Sequence, residues 1–447
     1  VIGKPGFGKR LFVKSPCSVR IAAGGTTGSI GEHVMVSIAM LVIMAGCAAY
    51  LFLKGTLVQG VTMIFNALIA GFTAFGFFEI LINYLIKYSP GIAAWAPMIC
   101  FLLLFVLVFA ILQAVSMQIS KEKIDFGKLP EQIGRPVTGV LLGYIVTGHV
   151  LVAAAMAPLP SRYPYARFEG RNPNPAAPRK ALLSPDGFVT SLFGSISAGS
   201  FAPMGEPKSF AMLHAGFIDQ LYLNRLGDKD APLMTETEAI KVPSQNGVWE
   251  APENLRDTEG KPVQSQTGRN LMLVRVEIRK AALKDAGKFT LSQFRLVCGP
   301  KTAAGAMAGK GEAVYPAGYI GPANRLQVKP LGELISIDAS KVSSDTLTID
   351  LAFQVPTGLT PVLIQFKRNN IAKVSAVASP ENAPQPVPFG SPAPQPQVAP
   401  EPESQPQTLQ ENHSEQSDSG TRPDRPRPRR GLSDISRSVT GDVGEEN

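Results

Sequence analysis

Glu79 and His149 are the ionisable side chains set deepest in apolar sequence, one within Phe77-Phe78-Glu79-Ile80, the other within Thr147-Gly148-His149-Val150. A charge at the centre of a bilayer costs ~2.5–3.5 kcal/mol on insertion scales, so such a group must face a partner or a polar cavity. A facing pair would suit a proton or ion relay, the chemistry of a small channel or transporter. Spacing argues against direct pairing. His149 falls near the middle of its apolar run, whereas Glu79 lies about seven residues, or roughly 10 Å, past the middle of its own. Interhelical hydrogen bonding and interfacial snorkelling are the roles expected of them.

Other chemistry-bearing residues are scattered. The four histidines (His33, His149, His214, His413) and four cysteines (Cys17, Cys47, Cys100, Cys298) stand singly, with neither zinc spacing nor a disulfide framework. His214 has no local Ser or Asp in a triad-like arrangement and is read as structural. A membrane-tethered hydrolase would draw its catalytic residues from Ser184 to Tyr319, where no nucleophile elbow, H-E-x-x-H or paired-Cys motif occurs. Gly3-Lys-Pro-Gly-Phe-Gly-Lys9-Arg10 mimics a phosphate loop, but Arg10 replaces the magnesium-binding Ser or Thr and no strand can precede it. Met44-Ala-Gly-Cys47 resembles a lipoprotein cleavage box, yet its cysteine lies in the middle of a full-length apolar run. The chain therefore reads as non-enzymatic, with no catalytic residue, metal or cofactor.

The elements that must position Glu79 and His149 are membrane helices. In 447 residues, 45% hydrophobic and 17% charged, the apolar residues crowd between Val34 and Leu159. Four runs, Val34–Leu53, Leu57–Ile86, Ile92–Met117 and Val137–Met156, each reach the ~20 residues that a spanning helix needs. The connections Lys54–Thr56 and Lys87–Gly91 are so short that the first three spans must be antiparallel neighbours. Positive charges favour a cytoplasmic Gln118–Pro136 loop, with Lys121, Lys123, Lys128 and Arg135, which places both termini outside. Arg162, Arg167, Arg171 and the basic first 33 residues pull the other way. Gly139 and Gly143 form a G-x-x-x-G pair, and Ala67/Gly71 repeats the spacing in the second span. Small residues let helix backbones meet closely in lipid, so these faces are expected to pack the bundle and carry its self-association or partnering.

The net charge of +8 does not describe a nucleic-acid binder, because residues 377–447 hold six Arg against eleven acidic residues and no basic stripe with interleaved aromatics appears elsewhere.

Several of these residues also resemble the CvpA (colicin V production protein) family. The end of the first span, Leu53-Lys54-Gly55, followed by Gly60-Val61, looks like the family's basic-glycine, glycine-hydrophobe junction. Arg135-Pro-Val-Thr-Gly139-Val-Leu-Leu-Gly143 is similar to its Arg/Gly-rich start of the fourth span. The resemblance covers about Val34–Leu159, and the chain departs from the family in lacking an acidic residue at the start of the first span. It implies a four-span cytoplasmic (inner) membrane protein tied to toxin production or export and envelope homeostasis. It also implies an added C-terminal domain on the extracytoplasmic side. The expected partners are the lipid bilayer, other membrane or envelope proteins, or further copies of the chain.

Beyond the spans, residues 160–267 read as a connector with short helices around Gly187–Gly194 and Ser209–Leu226. Ser161–Pro178 carries Tyr163, Tyr165 and Phe168, read as an interfacial aromatic anchor. Over residues 268–376 the period changes to two, as in Met272, Val274, Val276, Ile278 and in Leu347, Ile349, Leu351, Phe353, Val355. That is the pattern of strands with one buried face. Five further short runs, among them Phe289–Cys298 and Val362–Lys367, complete an expected Ig-like antiparallel β-sandwich that binds or scaffolds. Residues 377–447, rich in Pro, Gln and Glu, are expected to be disordered. The expected fold class is thus a four-helix membrane domain, a mostly-β sandwich and a disordered tail.

Overall fold

The computed structural model describes residues 26–119, 127–170, 172–198, 209–227, 231–300, 309–337, 342 and 344–390. Four long helices come first: α1 (Thr26–Lys54), α2 (Leu57–Tyr88), α3 (Ala96–Ile119) and α4 (Lys128–Met156). All four are long and apolar enough to cross a membrane. Thr56 starts α2 by accepting a hydrogen bond from the Gln59 amide at 3.2 Å, and Ser89-Pro90 stops it, since proline cannot continue a helix. The charged residues Lys128, Glu131 and Arg135 belong to the first turns of α4, which starts nine residues before the apolar run does. The third span likewise begins at Ala96 rather than Ile92, because Pro90–Ile92 forms a separate 3-10 turn.

Helix α4 is the hub. It packs along α1, α2, α3 and the following helix α5 (Pro185–Ala198), and two thirds of its apolar stretch is buried. The α1 and α3 stretches are only 17% buried, leaving Val42, Leu53, Leu103, Val106 and others as a lipid-facing exterior. The second expected helix, Ser209–Leu226, is broken into α6 (Phe210–Leu213) and α7 (Phe217–Leu223). The break falls at Gly216, whose φ of +64° suits glycine and reverses the chain.

The β-rich region is a sandwich. Its larger sheet joins β1 (Ile240–Lys241), β3 (Arg269–Arg279), β10 (Thr346–Pro356), β7 (Pro316–Gly321) and β8 (Arg325–Gln327) in that order, with β2 (Val248–Glu250) also on β3. The smaller sheet runs β12 (Asn370–Lys373), β11 (Leu359–Phe366), β5 (Phe294–Pro300), β6 (Glu312–Val314), and β4 (Lys288–Thr290) pairs with β9 (Leu334–Ser336). Strands β3 and β10 pair antiparallel with Val276 opposite Ile349 and Val274 opposite Leu351. Their alternating side chains meet Phe289, Phe294, Ile364 and Phe366 from the other strands in one core.

Two expectations need correction. The strands do not have a single buried face: Leu271, Leu273 and Ala352, on the opposite side of β3 and β10, are covered by Trp249, Leu255 and Leu326. The sandwich also overruns its expected limits of 268 and 376. Strands β1 and β2 lie upstream, and residues 377–390 run back over the larger sheet, with Ala378 N donating to Val248 O and Phe389 N to Ile320 O at 2.8 Å each. Beneath this strap, Arg275 and Asp350 form a two-pronged buried ion pair at 2.8 Å, whose spare groups bond Gln385 O and Val387 N. Burying that pair on the outer face requires a cover, which residues 377–390 supply. Residues 26–33, expected to belong to a poorly ordered N-terminal arm of 33 residues, are the first turns of α1; the rest of that arm, and the expected disorder beyond 390, lie outside the described residues.

Candidate functional site

The positions singled out in the spans fall at three depths. At the end of the bundle remote from the sandwich, Glu131 accepts from the Leu57 amide at 3.4 Å and pairs with Arg135, so α4 supplies an anionic cap to the N-terminus of α2. Gly55 closes α1 by donating to Leu51 O at 3.0 Å, and Lys54 is exposed beside it. A Cβ on Gly60 would lie 2.3 Å from Thr138 Oγ1, so this glycine sets the contact between α2 and α4.

At mid-depth the small residues pack the chain against itself. A Cβ on Gly139 would stand 2.5 Å from Ala48 Cα, and one on Gly143 2.6 Å from Met44 Cα. The G-x-x-x-G face of α4 is therefore occupied by the backbone of α1. Ala67 is fully buried in the same core. Gly71 makes room for His149, whose Nε2 lies 2.0 Å from where its Cβ would be. The imidazole stacks on Phe105 at 4.6 Å, neighbours Phe75 and Phe101, and places Nδ1 2.8 Å from Ile145 O. A second polar clamp joins α2 to α3, where Asn66 Nδ2 donates to Gln113 at 3.2 Å and to Ser116 at 3.1 Å.

Glu79 and His149 are not brought together. Glu79 lies two turns further along α2 and meets His214, Oε1 to Nε2 at 2.9 Å. His214 sits between α6 and α7, buried against Phe210 and Phe217. Nothing in the local sequence of either residue marks this pair, since their segments are far apart along the chain.

The third depth is the junction with the sandwich, built largely from residues that the sequence did not single out. The last carbonyls of α4 have no intrahelical partners and carry the negative end of the helix dipole. Arg368, in the β11–β12 turn, donates to Met156 O at 2.5 Å, and Arg225 donates to Ala157 O at 3.4 Å, Leu159 O at 3.3 Å and Tyr163 O at 2.9 Å. Burial pushes Arg225 down to about 10; burial and the neighbouring Arg225 push Arg368 down to about 9. Both guanidinium groups therefore stay charged at neutral pH. A third arginine, Arg295, donates to Leu213 O at 2.7 Å, Ala215 O at 2.6 Å and Gln365 Oε1 at 2.5 Å, and Gln220 reaches the same Gln365 oxygen at 2.7 Å. This links the α6–α7 turn to strands β5 and β11.

Beside the junction, Tyr165 is fully buried and donates to Asp186, while Arg167 donates to Tyr165 Oη at 2.8 Å and Asp219 Oδ1 at 2.5 Å. Of the expected aromatic anchors, Tyr165 thus belongs to the core and Tyr163 stays partly exposed. Burial outweighs Arg167 and raises the Asp219 carboxyl above its usual range. A recess of about 510 Å³ opens here, lined by Lys180, Thr190, Ser191, His214, Asp219 and Lys310. Among the described residues, no three His, Cys, Asp or Glu side chains cluster as a metal site requires.

These groups fix the sandwich to the end of α4 and leave polar recesses at the joint. No protein-family model matches the chain, and neither a curated protein nor a solved structure matches it. The fold itself defines a multi-pass membrane protein carrying a β-sandwich.

Proposed function

We propose that this protein is a non-enzymatic membrane scaffold of the CvpA kind, holding its sandwich as a binding module on the extracytoplasmic face of the cytoplasmic membrane. Its role is the production or export of a colicin V-like toxin and envelope homeostasis. The observation that carries the scaffold reading is the arginine joint: Arg368 bonds the last carbonyl of α4 and Arg225 the carbonyl of Ala157 just beyond it, from two segments remote in sequence. A module that only needed tethering would hang from a flexible linker; this one is bonded to its anchor. The orientation rests on charge, because Lys54, Lys128 and Arg135 all lie at the end of the bundle opposite the sandwich. Partners meet the sandwich or the outer surfaces of the spans, since the Gly139/Gly143 face is filled by α1.

The test has two arms. Spin labels at Lys54 and Glu259, with the native thiols replaced, give a narrow distance distribution that the double variant Arg225→Ala/Arg368→Ala broadens. A broad distribution in the parent chain contradicts the rigid scaffold. In cells, loss of the gene lowers release of a colicin V-type peptide toxin, and the parent restores it more fully than the double variant. Unchanged release without the gene removes the toxin role.

A further inference from the structure

We infer that the segment from Ala181 to Phe193, including the first half of α5, is embedded in the lipid leaflet on the sandwich side, although it belongs to the sequence after the last span. The argument is one of depth. Tyr144 of α4 donates to Leu183 O at 2.9 Å and its ring lies 5.5 Å from that of Phe188. Gly148 is so close to Pro185 that a Cβ there would lie 2.5 Å from the Pro185 carbonyl oxygen. On the other side, Phe193 stacks on Phe75 of α2 at 5.0 Å. Counted back from Met156 at 1.5 Å per residue, Gly148 is ~12 Å and Tyr144 ~18 Å inside the end of α4. A bilayer surface at the level of Gly148 would leave only Val137–Gly148, about 18 Å of helix, to cross a hydrocarbon core of ~30 Å.

The neighbouring spans give two independent rulers. Met44 of α1 lies against Gly143, and α1 runs antiparallel to α4, so Val34 stands ten residues, or ~15 Å, nearer the sandwich. Val34, Met35 and Ile38 are nevertheless exposed, at 49%, 70% and 55%. Phe105 of α3 stacks on His149, and Ile99, ~9 Å nearer the sandwich, is 40% exposed. Half-exposed apolar side chains thus continue, among the described residues, well beyond the level at which α5 begins, and lipid is the medium that suits them.

The composition of the segment fits that placement. Leu182, Leu183 and Phe188 are exposed at 47%, 63% and 41% and continue the outer surface of α4 formed by Val140, Leu141 and Tyr144. Within α5 the exposed side carries Phe188 next to Ser191, while Val189 and Phe193 turn inward onto Gly148 of α4 and Phe75 of α2, and the serines border the recess that holds His214 and Asp219.

The test places a photoreactive benzoylphenylalanine at Leu183 or Phe188 in the full chain reconstituted into phosphatidylcholine vesicles. Val42, on the lipid-facing side of α1, and Glu259, exposed on the sandwich, serve as reference positions. Lipid adduct yields at Leu183 and Phe188 should fall within about threefold of that at Val42, with essentially none at Glu259. Adducts at Val42 with none at Leu183 and Phe188 overturn the inference and leave the four spans standing. Absence of adducts at all positions, Val42 included, removes the membrane reading and the inference together. Leu183 contributes no packing to the core, so the Leu183→benzoylphenylalanine chain folds whatever the outcome at Phe188.

Discussion

Replacing Gly139 with alanine is the sharpest probe of the bundle. The new methyl group would lie 2.5 Å from Ala48 Cα and 2.8 Å from both Ala48 N and Cys47 O, all backbone atoms of α1 that have no rotamer by which to withdraw. Carbon atoms rest at ~3.5–4.0 Å, so α1 must move outward by roughly 1–1.5 Å along the whole contact. Overpacking of this kind costs ~1–3 kcal/mol, and a clash with rigid backbone belongs at the upper end. Alanine recovers about 1 kcal/mol in helix propensity, which leaves a net loss of ~2 kcal/mol. Gly46→Ala is the control, because no atom lies within 4 Å of its Cβ position and only the propensity gain applies. Thermal unfolding in detergent micelles reads the difference: Gly139→Ala lowers the midpoint and Gly46→Ala does not. Adding Gly143→Ala should cost less than its single effect, since one displacement of α1 relieves both clashes. A Gly139→Ala chain as stable as the parent would refute the claim that α1 and α4 meet backbone to backbone.

Three more outcomes follow from the same geometry. Gly71→Ala drives a methyl into the His149 ring and should lower the thermal midpoint; His149→Ala should partly rescue it, and purely additive losses would show that the two do not share a space. Removing one partner of the Arg275–Asp350 pair leaves a buried charge and should cost ~3–5 kcal/mol, whereas Arg275→Met/Asp350→Leu together should cost less, by comparison of melting midpoints. Burial pushes the Cys298 thiol up to about 12, so at pH 8 it is neutral and shielded. Maleimide should label it only after denaturation, and labelling of the native chain would contradict its place in the core.

The spans and strands were legible because each depends on local pattern. An uninterrupted run such as Phe101–Leu112 has few alternatives to a membrane helix, and alternation from Met272 to Ile278 has few alternatives to a strand. The small-residue spacing at Gly139 and Gly143 pointed to a close helix contact, but spacing says nothing about which helix arrives, and α1 fills it. The polar groups were harder to read. Glu79 announced a need for a partner, and the partner, His214, looked structural because its own neighbours are aromatic. Arg225, Arg295 and Arg368 carry no motif; their roles come from carbonyls exposed by a helix end and a turn in distant segments. Strand polarity misled at Leu273, because its cover, Trp249, Leu255 and Leu326, comes from segments outside its own strand.

The arginine joint also fixes an order of events in the making of the molecule. Arg225 follows its carbonyl partner at Ala157 by 68 residues, and Arg368 follows Met156 by 212. A ribosome has therefore delivered all four hydrophobic segments long before the groups that close the last turn of α4 exist. Until then that turn ends in bare carbonyls at the water's edge, and a polypeptide cut short between residues 225 and 368 still leaves that of Met156 without its arginine. Completion of the anchor is thereby a report that the downstream module has been made and has found its place.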